Sequence, residues 1–230
     1  LAIADIPAFV LMEDRKEDKP ALDFEIDLEA RQLVHEGRET GRLSVKARRD
    51  GALTSIERIA ISELDGSSLI ASGSLGGGAR RLTVKLDATR LDGIAAILER
   101  VAPGPLATAL RRRAPQLQPA LLVATVASEQ ADGTFQLSAD GRLAATDVAL
   151  AGTMTIRGDT TLGLYVTLTS ADSAALVRQF TGTPVAGPKP ALPGRVALAL
   201  KGNPRAAMGL TLDVALAGLT GRIAGDIRLF

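Results

Sequence analysis

The chain has 230 residues and carries 27 basic and 26 acidic side chains, which leaves a formal net charge of +1. A balanced charge provides no basic field for a phosphate backbone, and this argues against a nucleic-acid-binding protein. The chain contains no cysteine, which excludes disulfides, thiolate catalysis and cysteine-bound zinc.

The hydrophobicity of the chain comes almost wholly from aliphatic side chains. Hydrophobic residues make up 46% of the sequence, whereas aromatic residues make up 3%. Carbohydrate sites and single-stranded nucleic-acid grooves depend on aromatic stacking platforms, which so few rings cannot build. An aliphatic surface is better suited to acyl chains.

The first part of the chain predicts a loop followed by strands. Residues 1–20 begin apolar and end in a charged segment closed by Pro20, which is typical of a solvated loop. Between residues 22 and 30 apolar and acidic residues alternate, so one face of a strand carries Phe24, Ile26, Leu28 and Ala30. Further strands are predicted at 41–48, 54–62, 67–75 and 80–88, with turns at Asp50-Gly51, Asp65-Gly66 and the glycines 76–78.

A helical insertion is predicted over residues 91–113. Apolar residues recur there at helical spacing, and Pro103-Gly104-Pro105 divides the segment into two helices. The second helix is expected to end at the basic triplet 111–113, because Pro115 follows it.

The remainder of the chain predicts more strands and one short helix. Turns are expected at Asp132-Gly133 and Asp140-Gly141, a helix at 172–180 and a loop at 181–193. Strands are predicted at 120–128, 133–140, 143–150, 152–157, 161–169, 194–201, 206–217 and 221–229. The expected domains are a terminal strand and loop at 1–20, a β repeat at 21–118 and a second at 119–230, or one continuous domain.

One unit occurs twice, with a third partial copy. Each copy is a hairpin that leads into an alternating aliphatic strand, and the copies begin at Gly73, Gly152 and Gly202. The first two copies continue into a helix, whereas the third continues into another hairpin. Repetition of this kind indicates a stacked β architecture. We therefore expect a mainly β fold, an elongated and curved antiparallel sheet or sandwich built of repeated hairpins, with two short helical insertions.

The alternating strands of the three copies form the candidate binding surface. A strand of this pattern must bury its aliphatic face against protein or against a lipid. The sequence leaves both interpretations open. Burial against protein is the more common case for an apolar face. The candidate groove residues are Leu82, Val84, Leu86, Leu164, Val166, Leu168, Leu210, Leu212 and Val214.

The sequence offers little for catalysis. His35 is the only histidine, which excludes a multi-histidine metal site and leaves a catalytic triad dependent on one residue in a predicted turn. The glycine run that ends at Gly78 lacks the Lys-Ser/Thr ending of a phosphate loop and is followed by a strand. We expect no catalytic residue, metal or cofactor, and a protein that is not an enzyme.

The basic triplet Arg111, Arg112 and Arg113 has two readings. Cations at the end of a helix complement its dipole, which is the simpler explanation. The alternative is contact with lipid phosphate head groups, where each cation contributes about 1 kcal/mol near an anionic surface.

Four segments resemble AsmA-family proteins of Gram-negative envelopes, the group related to TamB-like proteins. They are FEIDLEAR at 24–31, GRLSVKARRDG at 41–51, ELDGSSLIASGSL at 63–75 and LTVKLDATRL at 82–91 with the helical insertion after it. The resemblance extends from about residue 22 to the end. It implies a periplasmic segment of a larger protein anchored in the inner membrane, with an aliphatic groove that carries or shelters phospholipid acyl chains in lipid transport or outer-membrane biogenesis.

Two further expectations concern context. The chain begins at Leu1 without a signal peptide or an apolar run long enough to span a bilayer, so we expect an internal or processed segment of a longer protein. A function of another class is a scaffold whose exposed strand edges pair with outer-membrane or envelope proteins. Ser44 and Thr220 are the predicted edge positions.

Overall fold

A computed structural model describes residues 23–35, 38–76, 80–101, 104–128, 133–156, 160–183, 185 and 190–228. The strand and loop predicted at 1–20 lie outside these residues. The strands are β1 Phe24–His35, β2 Arg38–Asp50, β3 Leu53–Leu64, β4 Ser67–Leu75, β5 Arg80–Ala88, β6 Ala120–Ser128, β7 Thr134–Leu143, β8 Thr146–Thr155, β9 Thr161–Ser170, β10 Gly194–Gly202, β11 Met208–Leu216 and β12 Leu219–Ile227. The helices are α1 Asp92–Val101, α2 Pro105–Leu117 and α3 Ser173–Thr181.

The strands form one open sheet in which spatial order follows chain order from β1 to β12. Every pair whose register is described is antiparallel. Short turns permit this arrangement, because antiparallel neighbours can be joined by two-residue hairpins. The prediction of a mainly β fold built of hairpins is confirmed, as are the helical insertions after β5 and after β9.

Contacts divide the described chain into two compact units. The first unit comprises 23–76 and 84–120, and the second comprises 80–83 and 121–228. Strand β5 therefore contributes residues to both. In each unit a hairpin is followed by a strand and then by a helix.

The core of the first unit lies where α1 covers one side of the sheet. Leu33, Leu43, Ile61 and Leu64 form a buried cluster, and Ile94 and Ile97 of α1 pack against it. The helix approaches closely because Gly93 has no side chain. A Cβ atom there would lie 2.8 Å from Cγ of Leu64 and 2.9 Å from its carbonyl oxygen.

Three register shifts bring apolar residues onto this covered side. Residues three apart in a regular strand point to opposite faces. The pairing skips a position between Ala30 and Leu33, between Ile56 and Ile59, and between Ile61 and Leu64. At each of these shifts one strand contains an extra residue, as in a β-bulge. The extra residue returns the next apolar side chain to the covered side of the sheet.

The two units repeat one contact between a hairpin turn and the chain just before the helix. In the first unit the Thr89 hydroxyl donates to the carbonyl of Gly66, in the β3–β4 turn, at 2.9 Å. In the second unit the Ser170 hydroxyl donates to the carbonyl of Ala145, in the β7–β8 turn, at 3.0 Å. The predicted order of hairpin, strand and helix is found in both units.

The turn predicted at Asp140-Gly141 is wrong. Both residues lie inside β7, and the β7–β8 turn is at Ala144 and Ala145, with Ala144 at a φ of 50°. Gly141 serves a close approach between strands instead. A Cβ atom there would lie 2.0 Å from the carbonyl oxygen of Leu121.

The predicted end of the second helix is also wrong. Helix α2 continues past the basic triplet and includes Pro115. Arg111, Arg112 and Arg113 therefore lie within the helix, and the interpretation that they complement the dipole at its end fails. Tertiary contacts hold the last turn, since Ala114 is buried and the Gln118 side chain accepts from the Leu91 N–H at 3.2 Å.

Gly93→Ala should destabilise the first unit. The added methyl group must displace Leu64 or move α1, which costs about 1–3 kcal/mol, more than the gain in helix propensity. Gly221→Ala is the matched control, because nothing lies within 4 Å of a Cβ atom at that position. Urea unfolding should show a lower midpoint for Gly93→Ala alone; equal midpoints would contradict the packing of α1 on Leu64.

Candidate functional site

The second unit carries a continuous aliphatic surface on one side of β8–β11. Alternate residues of these strands share this side, and their register aligns them in rows across the sheet. We call this surface the aliphatic face. Its three central rows are Val148, Leu168, Val196 and Val214; Leu150, Val166, Leu198 and Leu212; and Gly152, Leu164, Leu200 and Leu210.

Two of the three predicted groups of groove residues come together on this face. The residues on β9 and those on β11 are joined through Val196, Leu198 and Leu200 of β10, which complete each row. Sequence reasoning assigned β10 as a strand but did not include these side chains in the site. The signal was present, since large aliphatic residues alternate with alanine between Arg195 and Lys201.

The third predicted group lies on β5, which is not one of the strands of the aliphatic face. Leu82, Val84 and Leu86 are half-buried at alternate positions of β5. Strands β6, β7 and β8 lie between β5 and β9 in the order of the sheet.

The aliphatic face consists almost wholly of Leu and Val side chains and extends along most of the length of its strands. Every position in the three rows except Gly152 is Leu or Val, and each of these side chains is half-buried. A Cβ atom at Gly152 would lie 2.6 Å from Cδ2 of Leu164, so the glycine leaves space for that side chain. The rows continue to Met154 and Leu162, which gives about 20 Å along the strands. For comparison, the hydrocarbon layer of one bilayer leaflet is about 15 Å thick.

Helix α3 closes one end of the aliphatic face. The buried Thr146 hydroxyl donates to the Gln179 side chain at 2.6 Å, and the amide nitrogen of Gln179 donates to the carbonyl of Leu143 at 2.9 Å. Asp172 caps the helix by accepting from the Ala174 N–H at 2.9 Å. Gly194 permits the contact, because a Cβ atom there would lie 2.9 Å from Cα of Ser173.

The opposite side of the same strands is polar or carries small residues. The large side chain that β9 carries on this side is Tyr165, which is 47% exposed. A shallow depression of about 420 Å³ lies on this side and is lined in part by Asp147, Thr169 and Arg195. Asp147 already pairs with Arg142 at 2.8 Å. The contrast between the two sides assigns any apolar ligand to the aliphatic face.

The predicted basic triplet has divided surroundings. Arg111 pairs with Glu99 of α1 at 2.5 Å, so its charge is largely engaged within the first unit. Arg112 is exposed and Arg113 is half-buried. Contact of this triplet with phosphate head groups stays a prediction.

The polar side of β1–β3 carries a network of charges. The register places Glu25 opposite Arg48 and Asp27 opposite Lys46. A hydrogen bond from Lys46 to Glu57, at 3.1 Å, raises the pKa of Lys46, and the charges of Glu57, Asp27 and Glu25 act in the same direction. The stabilisation is present below the ordinary lysine pKa and is lost as the pH rises through the raised value.

The structure brings no metal-binding group together among the residues it describes. His35 ends β1 and pairs in register with Arg38, and its side chain lies outside the described part of the structure. Ser44 was expected at an edge, but it lies in the interior strand β2 between Glu29 and Ala60. Thr220 does lie on the last strand of the sheet order, β12.

No protein-family model matches the chain, and neither the curated proteins nor the solved structures compared with it give a match. Of the helices within the described ranges, none has the length and apolar character needed to cross a membrane.

Thr146→Val should loosen α3. Valine keeps the shape but cannot donate to Gln179, which leaves a buried amide oxygen unpaired and costs about 1–3 kcal/mol. Thr153→Val, at an exposed position of the same strand, is the control. Hydrogen exchange of the α3 amides should accelerate only in Thr146→Val, and equal rates in both variants would exclude the proposed role of this hydrogen bond.

Proposed function

We propose that the protein is a non-enzymatic segment of a cell-envelope protein and that its aliphatic face shelters phospholipid acyl chains. The resemblance to AsmA-family proteins supplies the setting: a periplasmic segment of an inner-membrane-anchored protein that acts in lipid transport or outer-membrane biogenesis. The aliphatic face supports the ligand class.

The observation that carries the proposal is the row geometry. Four neighbouring strands present Leu and Val in register, without a polar side chain in the three central rows. A phosphate or sugar gains nothing from such a surface, whereas each buried methylene contributes about 0.8 kcal/mol. A single acyl chain laid along the strands therefore suffices for measurable binding.

The aliphatic face continues beyond the three rows onto β12, where its side chains are exposed. On β12, which continues the face, Leu219 is 77% exposed and Ile223 is 60% exposed. A large contiguous apolar patch that is exposed marks a site of interaction with a ligand, a membrane or another protein.

Native mass spectrometry tests the ligand class directly. The purified protein should carry phospholipid and, after delipidation, should take up labelled phosphatidylglycerol. A protein that is free of lipid and takes up none would refute the proposal.

Val166→Asn should weaken lipid binding about 5- to 100-fold, because the amide must lose its water when an acyl chain covers the central row. Thr167→Asn is the matched control: it also replaces a β-branched residue in β9, but on the opposite side of the sheet. Both variants lose similar strand propensity.

The same pair of variants distinguishes a lipid surface from a protein core. If lipid covers the face, the delipidated variants should melt within a few degrees of each other. If protein covers it, Val166→Asn alone should lose several kcal/mol of stability, and the proposal fails.

A scaffold for protein interaction is the second candidate, and the exposure of β12 favours it. An edge strand offers free backbone groups to which an extended partner can add. A photo-crosslinking residue at Thr220 should then form protein adducts in the cell envelope, whereas one at Ser44, inside the sheet, should not. Lipid adducts alone, or equal protein adducts at both positions, would count against the scaffold.

A further inference from the structure

The first unit has an aliphatic strip of its own, on the side of the sheet that α1 covers at one end. The register aligns Leu28, Val45 and Ile59 in one row and Ile26, Ala47 and Ile56 in the next. No residue of this strip belongs to the aliphatic face of the second unit. We call these six side chains the first-unit strip.

The outer edge of the first-unit strip is open. Phe24, Ile26 and Leu28 of β1 are 39%, 41% and 45% exposed, although they share the side on which Leu43 is buried under α1. Helix α1 thus covers one end of this side, and the apolar side chains beyond it lie uncovered among the described residues. A row of exposed large apolar residues of this kind marks an interaction surface.

Arg49 ends the strip on the same side. It is paired in register with Phe24 and Thr54, two residues beyond Ala47, so its side chain projects from the apolar side of β2. It is half-buried, and its Nε donates to the carbonyl of Gly51 at 3.1 Å.

Two carboxylates lie near Arg49, one in the chain and one across the strand pair, and neither forms an ion pair with it. Asp23 accepts from the Gly51 N–H at 2.6 Å, and Asp50 pairs with Arg48 at 3.9 Å on the polar side. Across the described part of the chain, no carboxylate forms an ion pair with Arg49. A guanidinium at the border of an apolar surface gains when an anion joins it, and its planar donors match a phosphate in a bidentate manner.

We propose that the first-unit strip is a second lipid site, in which Arg49 contacts the phosphate of one phospholipid and an acyl chain lies along the strip towards α1. A phospholipid matches this surface in charge and in polarity. Its phosphate complements the cation at one end of the strip, and its acyl chain complements the apolar side chains that lead to α1. The distance from Arg49 to Val45 is about 14 Å along the strand, close to the length of one bilayer leaflet. The site fixes the direction of the lipid, with the head group away from α1.

This inference takes its ligand class from the proposed function but concerns a different surface. Native mass spectrometry with phosphatidylglycerol can therefore separate the two. The unmodified protein should bind two lipids, and Val166→Asn should weaken one of them without affecting the site at Arg49.

Arg49→Gln should weaken the other lipid about 10- to 100-fold, the range expected for the loss of a charge-assisted contact. Arg49→Lys should recover most of the affinity. Arg48→Gln is the matched control, because it removes the neighbouring arginine on the polar side of the same strand. Diacylglycerol with the same acyl chains lacks the phosphate, so its affinity should be the same in Arg49→Gln and in the unmodified protein.

The outcomes are distinguishable. Equal affinities for phosphatidylglycerol in Arg49→Gln and Arg48→Gln overturn this inference, and they leave the proposed function intact if Val166→Asn still loses a lipid. If Arg49→Gln loses a lipid and Val166→Asn does not, the result supports the site at Arg49 and refutes lipid binding by the aliphatic face. Absence of lipid from the unmodified protein refutes both. Melting curves of the arginine variants check that each is folded.

Discussion

The constraint on which this structure depends is the period of two along a β-strand. Every second side chain points to the same side, so the Leu and Val residues of β8–β11 can share a surface only if all four strands keep their register. A slip of one residue would turn a strand's aliphatic side chains towards the polar side. The hydrophobic pattern therefore specifies the pairing as strongly as the turns do, and it concentrates the apolar surface of each unit on one side.

A sheet with one aliphatic side needs cover, and helices supply it only in part. In the first unit Ile94 and Ile97 lie on the buried cluster, while Phe24 and Leu28 on the same side remain exposed. In the second unit α3 closes the end of the face at Thr146 and Gly194. A hydrogen bond from Gln179 to the carbonyl of Leu143, the last residue of β7, holds α3 there. We propose that a lipid chain covers the remaining apolar surface, because burying such a surface against hydrocarbon is favourable.

Charges are arranged to keep the two sides of the first unit different. The carboxylates of β1 lie opposite basic residues of β2 on the polar side, where Lys46 also bonds Glu57. Exposed pairs of this kind contribute little to stability. Because of these pairs, charged side chains on the polar side lie beside charges of opposite sign. Arg49, on the apolar side, forms no ion pair with a described carboxylate, so the two neighbouring arginines have different surroundings.

The sequence by itself determined the class of fold, the order of hairpin, strand and helix, the faces of β9 and β11 and most strand limits. It divided the single strand β8 into two, at 143–150 and 152–157. The features that it determined correctly are local ones. These features depend on local periodicity and turn residues, which neighbouring positions in the chain express. Only the tertiary structure decided the register shifts that align Ile56 with Ile59 and Ile61 with Leu64, because a bulge is defined by the partner strand. It also decided that Gly141 serves a close approach, that α2 passes Pro115, that β10 joins the two predicted groups and that Arg49 ends an apolar strip. Each of these depends on which residues lie opposite one another across strands and helices, and that information is not local to the sequence.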